Sequence, residues 1–151
     1  ASGRGGDFPQ IDGTAAYMAP EQAAGKRVSR LSDVFTLGVC LYEISTAARP
    51  FATGSREATI ERLLKGDFQF PCEIVADYPP ALERIVRRSM AMEPAHRYPS
   101  ALRLKAALEE WLAYSGPPIR DSDLAEFVKS RAGATITERE GAIARSMGGR
   151  A

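Results

Sequence analysis

The densest run of apolar residues lies between Asp33 and Ile44, where nearly every position is hydrophobic. A helix that is apolar on all sides is buried in a protein core or in a membrane. This run is too short to cross a bilayer, and Asp33 and Glu43 stand near its ends. Its β-branched residues would also suit a buried strand, but its length favours a helix. We therefore predict a buried central helix over Ser32–Ser45, with Asp33 as its N-terminal cap.

Gly38 lies in the middle of this predicted helix. Glycine at such a position costs roughly 1 kcal/mol relative to alanine. We expect that cost to be offset by the close approach of a neighbouring backbone, which only a residue without a side chain permits.

Other helices are predicted on either side of the central one. Pro20 followed by Glu21 is typical of a helix N-terminus. Three later segments have amphipathic spacing: residues 55–65, a helix opened by Pro79–Pro80, and Ser100–Tyr114. Their predicted apolar faces are, in turn, Ala58, Leu63 and Leu64; Leu82, Ile85, Val86, Ser89 and Met90; and Leu104, Leu108, Trp111 and Leu112. Residues 67–76 show no period, and no segment has a convincing strand pattern, so the predicted fold is mainly α.

The two ends of the chain have weaker patterns. Residues 1–10 are rich in glycine and predict a flexible loop. Residues 115–151, which include the break at Gly116-Pro117-Pro118, are expected to be a weakly helical or flexible extension. One short helix would start at Asp121, with Leu124, Phe127 and Val128 apolar, and a second at the capping box of Thr137.

Composition and charge exclude several classes of protein. The net charge is +1, from 20 basic and 19 acidic residues, so no electrostatic argument favours nucleic acid or an anionic membrane as a partner. Cys40 and Cys72 are far apart, and no Cys/His cluster exists, so a disulfide framework is absent and a metal site is not expected. We find no pattern of a signal peptide or membrane segment and expect a cytoplasmic protein.

Three motifs occur in a defined order. Gly13–Glu21 reads G-T-A-A-Y-M-A-P-E, Asp33–Val39 reads D-V-F-T-L-G-V, and Glu93–Ala101 reads E-P-A-H-R-Y-P-S-A. Together they resemble the second half of a bacterial-type Ser/Thr protein kinase, over roughly residues 11–114. The resemblance implies the helical C-terminal lobe of the kinase fold, with the N-terminal lobe absent from this chain. Residues 1–114 would then be a partial kinase domain, with an activation and docking loop at 1–22 and a helical lobe at 23–114.

The resemblance also implies roles for individual residues. Gly13, Thr14 and Tyr17 would belong to the substrate-docking loop, and Thr14 would line the site of the acceptor hydroxyl beside the family's catalytic aspartate. For Thr14 the alternative is an ordinary turn threonine that follows a glycine.

Three charged residues would hold the lobe together in such a kinase. Glu21 and Arg97 would form the family's buried ion pair, and the alternative for them is two unrelated surface charges. Asp33 would anchor the backbone of the catalytic loop, a role compatible with capping the central helix.

The motifs that perform phosphoryl transfer are missing from the chain. A kinase needs a glycine-rich loop, a strand lysine, the H-R-D aspartate with its asparagine, and the D-F-G aspartate. Asp7-Phe8-Pro9 shares two letters with D-F-G, but its proline and its closeness to Thr14 exclude it. We assign no catalytic, metal or cofactor residue here and expect the chain alone to be inactive, with ATP and Mg²⁺ implied only for a full-length kinase.

Two functional hypotheses remain open. The chain could be part of an active kinase, with protein substrates and the missing N-terminal lobe as its partners. Alternatively, it could be a truncated, non-catalytic protein-binding module. An in-frame H-R-D and D-F-G in the upstream coding sequence would favour the first hypothesis.

Overall fold

Helices and the turns between them supply the regular structure of the computed structural model, which describes residues 12–117 and 120–130. Helix α1 covers Pro20–Ala23, α2 Arg30–Thr46, α3 Arg56–Lys65, α4 Pro71–Ile74, α5 Pro80–Ser89 and α6 Ala101–Ser115, with 3₁₀ helices at Asp12–Tyr17 and Pro94–His96. No β-strand occurs in these described ranges. The mainly α fold class predicted from the sequence is therefore confirmed.

The chain divides into two compact units, Ala1–Tyr114 and Ser115–Ala151. In the first unit, α2 is the central helix and packs against α5 and α4. Its buried side chains contribute to two apolar clusters. One cluster contains Ala19, Phe35, Val39, Tyr42, Phe51, Leu63, Val86 and Met90, and the other contains Val34, Ile85, Tyr98 and Leu104. Helix α2 thus connects the segment around Ala19, α3 and α5 to the start of α6 through these two clusters.

Helix α2 begins at Arg30, two residues earlier than the sequence predicted. Ser29 is its N-cap: its hydroxyl accepts a hydrogen bond from the Leu31 amide at 3.2 Å, and the Ser32 hydroxyl accepts one from the Ser29 amide at 3.2 Å. This reciprocal capping box satisfies free amides of the first turn, so the prediction that Asp33 caps the helix is wrong. Asp33 lies within the first turn instead, exposed to solvent, where its charge suits the helix dipole.

At Gly38, helix α2 comes close to Ser89 at the end of α5. A β-carbon at this position would lie 2.7 Å from Cβ of Ser89 and 3.2 Å from its carbonyl carbon. Such separations are too short for carbon atoms that are not bonded. The close approach predicted at Gly38 is confirmed.

One side of α2 is not buried, contrary to the prediction of a helix covered all round. Leu37 is 44% exposed and Ile44 is 83% exposed. Together with neighbours on α6 these residues line an open apolar groove of about 310 Å³, here called the α2–α6 groove. Its lining consists of Leu37, Cys40, Leu41, Ile44, Ala101, Leu104, Lys105 and Leu108.

The shorter helices follow the sequence predictions with local corrections. Helix α3 ends at Gly66, whose φ of 65° is the left-handed conformation expected of a glycine stop. Its buried residues are Thr59 and Leu63, whereas Ala58 and Leu64 are exposed, because the packed face is rotated from the predicted one. Residues 71–74 form one helical turn opened by Pro71, not the irregular segment predicted.

The predicted apolar face is buried on α5 but only partly buried on α6. Every predicted core residue of α5 is buried, from Leu82 to Met90. On α6 only Leu104 is fully buried, and Leu112 is 56% exposed, so its assignment to the core was wrong. Few elements of the first unit reach the second half of α6, which explains the difference.

In the second unit, residues 121–130 are helical, as the sequence predicted for the segment that starts at Asp121. Leu124 and Val128 are exposed there. The predicted loop at residues 1–10 and the predicted helix from Thr137 lie outside the described residues. The assignment of residues 115–151 as an extension of a kinase domain stays a prediction.

Candidate functional site

Glu21 and Arg97 are brought together by the fold. Glu21 lies in α1, which Pro20 opens, and Arg97 follows the 3₁₀ turn Pro94–His96. The two terminal guanidinium nitrogens of Arg97 donate to the two carboxylate oxygens of Glu21, each at 2.8 Å. The Arg97 side chain is fully buried and that of Glu21 is 9% exposed. The pair therefore has the bidentate geometry that fixes orientation as well as distance.

Arg97 also binds three backbone carbonyls. Its Nε donates to Ala91 O at 2.8 Å, and its terminal nitrogens donate to Leu31 O at 2.8 Å and to Met92 O at 3.2 Å. An arginine has five N–H donors, and each is now matched with an acceptor. The guanidinium also lies 4.9 Å from the centre of the Phe35 ring. One buried side chain thus ties α1 to the first turn of α2 and to the segment after α5.

The carboxylate of Glu21 is held in its charged form. The Ser32 hydroxyl adds a hydrogen bond of 2.6 Å to the oxygen that Arg97 already contacts. Burial raises the pKa of the Glu21 carboxyl, but the hydrogen bonds from Arg97 and Ser32 outweigh burial and bring the pKa from 4.5 to about 2. The Glu21 carboxyl is therefore charged near neutral pH, and its hydrogen bonds tie α1 to Arg97 and Ser32.

That segment is held at Tyr17 as well. The Tyr17 hydroxyl donates to the Glu43 carboxylate, and the Tyr17 carbonyl accepts a hydrogen bond of 2.9 Å from the Thr36 hydroxyl. Arg49 donates through Nε to the other Glu43 oxygen at 2.9 Å. Thr36 and Glu43 are two helical turns apart on one side of α2, so both ends of Tyr17 are fixed to the same helix.

The electrostatics of this contact follow from its hydrogen bonds. The bond to Glu43 raises the pKa of the Tyr17 hydroxyl, and the bonds from Tyr17 and Arg49 lower the pKa of Glu43. Tyr17 therefore stays protonated and Glu43 stays charged. Sequence reasoning missed Thr36, Glu43 and Arg49 as partners of the segment around Tyr17. The available signal was that Thr36 and Glu43 are polar residues within the largely apolar run from Val34 to Ile44.

The remaining predicted site residues are not brought into this network. Gly13 and Thr14 lie in the 3₁₀ helix Asp12–Tyr17, and their side chains are outside the described residues. The role of Thr14 therefore stays a prediction. Asp33 is exposed in the first turn of α2, and no hydrogen bond or ion pair of its carboxylate occurs within residues 12–117 and 120–130. Its role as an anchor also stays a prediction.

The described residues contain no group of three or more His, Cys, Asp or Glu side chains that could hold a metal ion. His96 is exposed in the turn before Arg97, and Cys72 is exposed on α4. In the same part of the chain, no helix has the length and apolar character needed to span a bilayer.

Known proteins match most of the chain. The model of the protein kinase domain matches residues 2–111. Tyrosine-protein kinase MasK of Myxococcus xanthus is 45% identical over 103 residues, which are 68% of this chain and 16% of MasK. Serine/threonine-protein kinase PknB of Mycolicibacterium smegmatis is 38% identical over 136 residues, which are 85% of this chain and 22% of PknB. The chain thus spans about a fifth of the length of these relatives.

A solved structure shares the fold. The twitchin kinase region from C. elegans superposes with a TM-score of 0.60 at 24% sequence identity. The match covers 78% of this chain and 21% of the twitchin chain. At this identity the likeness concerns the fold alone, and that fold is the helical part of a kinase domain.

Proposed function

Because the chain belongs to the protein kinase family, we propose that it is part of a Ser/Thr protein kinase and supplies its substrate-docking loop and helical lobe. The activity of the whole enzyme would be transfer of a phosphoryl group from ATP to a hydroxyl of a protein substrate. PknB is named a serine/threonine kinase and MasK a tyrosine kinase, so the choice of a Ser/Thr hydroxyl is part of the proposal.

The observation that carries the proposal is the double attachment of the segment from Asp12 to Glu21. Tyr17 is bonded to α2 through Thr36 and Glu43, and Glu21 is bonded to Arg97. A loop that orients a peptide for reaction must itself be held by rigid elements, because small misplacements cost large factors in rate. The chain fixes this segment with part-buried hydrogen bonds at Tyr17 and with a buried ion pair at Glu21, as a docking loop requires.

The α2–α6 groove favours the hypothesis that the chain is part of an active kinase over the hypothesis that it is a self-sufficient binding module. Contiguous apolar surface of this kind marks a place where another polypeptide surface binds. In the proposed enzyme the missing kinase segments would cover Leu37, Cys40, Leu41 and Ile44. The exposed carboxylate of Asp33 stands at the start of the same helix, where it could hold the backbone of the catalytic loop.

ATP and Mg²⁺ would be held by parts of the kinase outside this chain, because its residues do not provide their ligands. The groups that this chain contributes are positioning groups. Tyr17 and Glu21 would fix the docking loop, and Thr14 would line the acceptor site. The protein substrate and the missing N-terminal lobe are the proposed partners.

The second candidate is a non-catalytic kinase-like module that binds protein partners. It is favoured by the self-contained core, in which Arg97 satisfies all its donors without help from another chain. Such a lobe could fold and present its docking loop alone. Reading the upstream coding sequence separates the two candidates, since an in-frame H-R-D and D-F-G would support the kinase.

A chimera tests the proposed role in catalysis. Residues 12–117 would replace the matching segment of PknB, and phosphorylation of a peptide would be measured with ATP. We expect transfer to be retained. Tyr17→Phe should raise KM for the peptide with little change in KM for ATP, because it frees one end of the docking loop.

Tyr78→Phe is the matched control for this variant. It also removes a tyrosine hydroxyl hydrogen bond, the 2.8 Å contact with Ser45, but outside the docking segment. A folded chimera that binds ATP and transfers no phosphate would contradict the proposal. So would an equal effect of the two tyrosine variants on KM for the peptide.

A further inference from the structure

A second open groove, here called the α5–α6 groove, has a volume of about 460 Å³. Its chemically distinctive lining residues are Arg84, Arg88, Tyr98, Glu110, Trp111 and Tyr114. No residue of the docking segment lines it, so it is separate from the proposed acceptor site. Unlike the α2–α6 groove, it combines aromatic rings with positive charge.

The two arginines are held close together without a counter-ion. Arg84 and Arg88 are one helical turn apart on α5, and the Arg88 guanidinium lies 4.4 Å from the centre of the Tyr98 ring. Within the described ranges, neither arginine forms an ion pair, whereas Arg87 between them pairs with Glu83. The Tyr98 ring is itself almost fully buried, so the stacked Arg88 has a fixed support.

The rest of the lining favours a protein ligand. Trp111 is half-buried and Tyr114 is 88% exposed, so both rings can contact an incoming side chain. Arginine, tryptophan and tyrosine are the residues that dominate binding energy in protein interfaces. Glu110 at the rim and a chain net charge of only +1 disfavour a polyanion such as nucleic acid, which needs many cationic contacts.

We propose that the α5–α6 groove binds an acidic segment of a partner protein. Carboxylates of that segment pair with Arg84 and Arg88, and an adjacent apolar side chain packs on Trp111 and Tyr114. This interaction would select partners independently of the docking loop, and it does not depend on the proposed kinase activity. Because the two unpaired arginines attract an acidic partner electrostatically, the affinity should fall as the salt concentration rises.

The test uses the full chain and its only tryptophan, Trp111, as a fluorescent reporter. The probe is a short capped peptide in which glutamates flank a central leucine, and the matched peptide has glutamines in their place. We expect a saturable change of Trp111 emission with the glutamate peptide and at least about tenfold weaker binding of the glutamine peptide.

Arg84→Glu is the informative variant, because Arg84 forms no ion pair that the fold would lose. It should weaken binding of the glutamate peptide by about fivefold or more. Arg103→Glu makes the same charge change at an exposed position of α6 outside the groove and should leave affinity within about twofold.

Several results would overturn the proposal. Equal binding of the glutamate and glutamine peptides would show that only apolar contact occurs. Equal weakening by Arg84→Glu and Arg103→Glu would show a non-specific charge effect. A response to vesicles of anionic phospholipid, with none to the glutamate peptide, would assign the groove to a membrane surface.

Discussion

Arg97 holds both carboxylate oxygens of Glu21, 76 residues earlier in the sequence, at 2.8 Å each. Both side chains are withdrawn from solvent, and Arg97 additionally binds carbonyls at the start of α2 and after α5. The contact therefore joins α1 to the turn between α5 and α6. Breaking it leaves a buried charge without a partner, which costs more than the intact pair contributes.

The first prediction concerns the stability of this contact. Arg97→Ala should lower the free energy of unfolding by about 3–5 kcal/mol, because it leaves the Glu21 carboxylate without its charged partner and removes the side-chain donors to three carbonyls. Arg87→Ala, which removes an exposed arginine paired with Glu83 at 3.6 Å, should cost only about 0–1 kcal/mol. Denaturant melts of both variants make the comparison.

A double-mutant cycle measures the coupling itself. Glu21→Ala, Arg97→Ala and the double variant should show a coupling free energy well above about 0.5 kcal/mol, since the two residues are in direct contact. Coupling below that value would mean that the pair does not form in solution, and the docking segment would lose its anchor.

The second prediction is a dependence of stability on pH. A carboxyl whose pKa is lower in the folded than in the unfolded state stabilises the fold above the unfolded value and loses this contribution as pH falls through the folded value. For Glu21 the loss should run from about pH 4.5 down to about pH 2. We expect the loss of unfolding free energy to be on the order of 2 kcal/mol, less than the full pKa shift implies, because the Glu21 side chain keeps 9% of its surface exposed to solvent.

Variants separate Glu21 from the other carboxylates in this titration. Glu21→Gln should flatten the fall in unfolding free energy between pH 5 and 2 relative to the unaltered chain. Glu61→Gln removes an exposed carboxyl whose pKa is also lowered, by its hydrogen bond from Lys65, and should flatten the profile less because solvent screens that pair. Equal flattening by the two variants, or none by Glu21→Gln, would contradict the low pKa of Glu21.

The third prediction tests the close approach of α2 and α5. Gly38→Ala should destabilise the fold by about 1–3 kcal/mol, because the new methyl group meets Ser89 at 2.7 Å, while the gain in helix propensity is only about 1 kcal/mol. At Gly54 a β-carbon would meet nothing within 4 Å. Gly54→Ala is therefore the control and should be neutral or slightly stabilising. Thermal melts showing the two variants equally stable would exclude the tight contact.

The fourth prediction concerns the second unit. Every described residue from 120 to 130 is exposed, and backbone ordering costs roughly 1–2 kcal/mol per residue. Deletion of residues 119–151 should therefore leave Tm within about 2 °C. Deletion from residue 105 onward also removes Leu108 and Trp111, which pack against the core, and should lower Tm strongly. A large drop on the shorter deletion would show that the second unit stabilises the first.

The sequence predicted helices well where apolar residues recur at helical spacing along a single segment. On α5 the apolar residues from Leu82 to Met90 recur at helical spacing and are all buried. The prediction of burial failed at Ile44 and Leu112, which are exposed. An apolar residue shows that a position can be buried, but it does not show whether a neighbouring element is present to cover it. Ser29 was missed as the cap of α2 because Ser32 and Asp33 offer similar signals within one turn.

Polar contacts between distant segments were the hardest part of the site to predict. Glu21 and Arg97 could be paired only through a resemblance to a family, since no local pattern joins residues so far apart. The bond between Tyr17 and Glu43 spans 26 residues, and Glu43 lies outside the motifs used for that resemblance. Such contacts are created by the packing of α2 and carry no periodic signature of their own.

The central claim is that this chain supplies the docking and helical part of a kinase and no nucleotide site. Titration calorimetry of the full chain with ATP and Mg²⁺ tests it most directly, with a full-length PknB kinase as the positive control. We predict no saturable heat for the chain, because the glycine-rich loop, the strand lysine, H-R-D and D-F-G are all missing from its sequence. Saturable, magnesium-dependent binding of ATP by the chain alone would contradict the account.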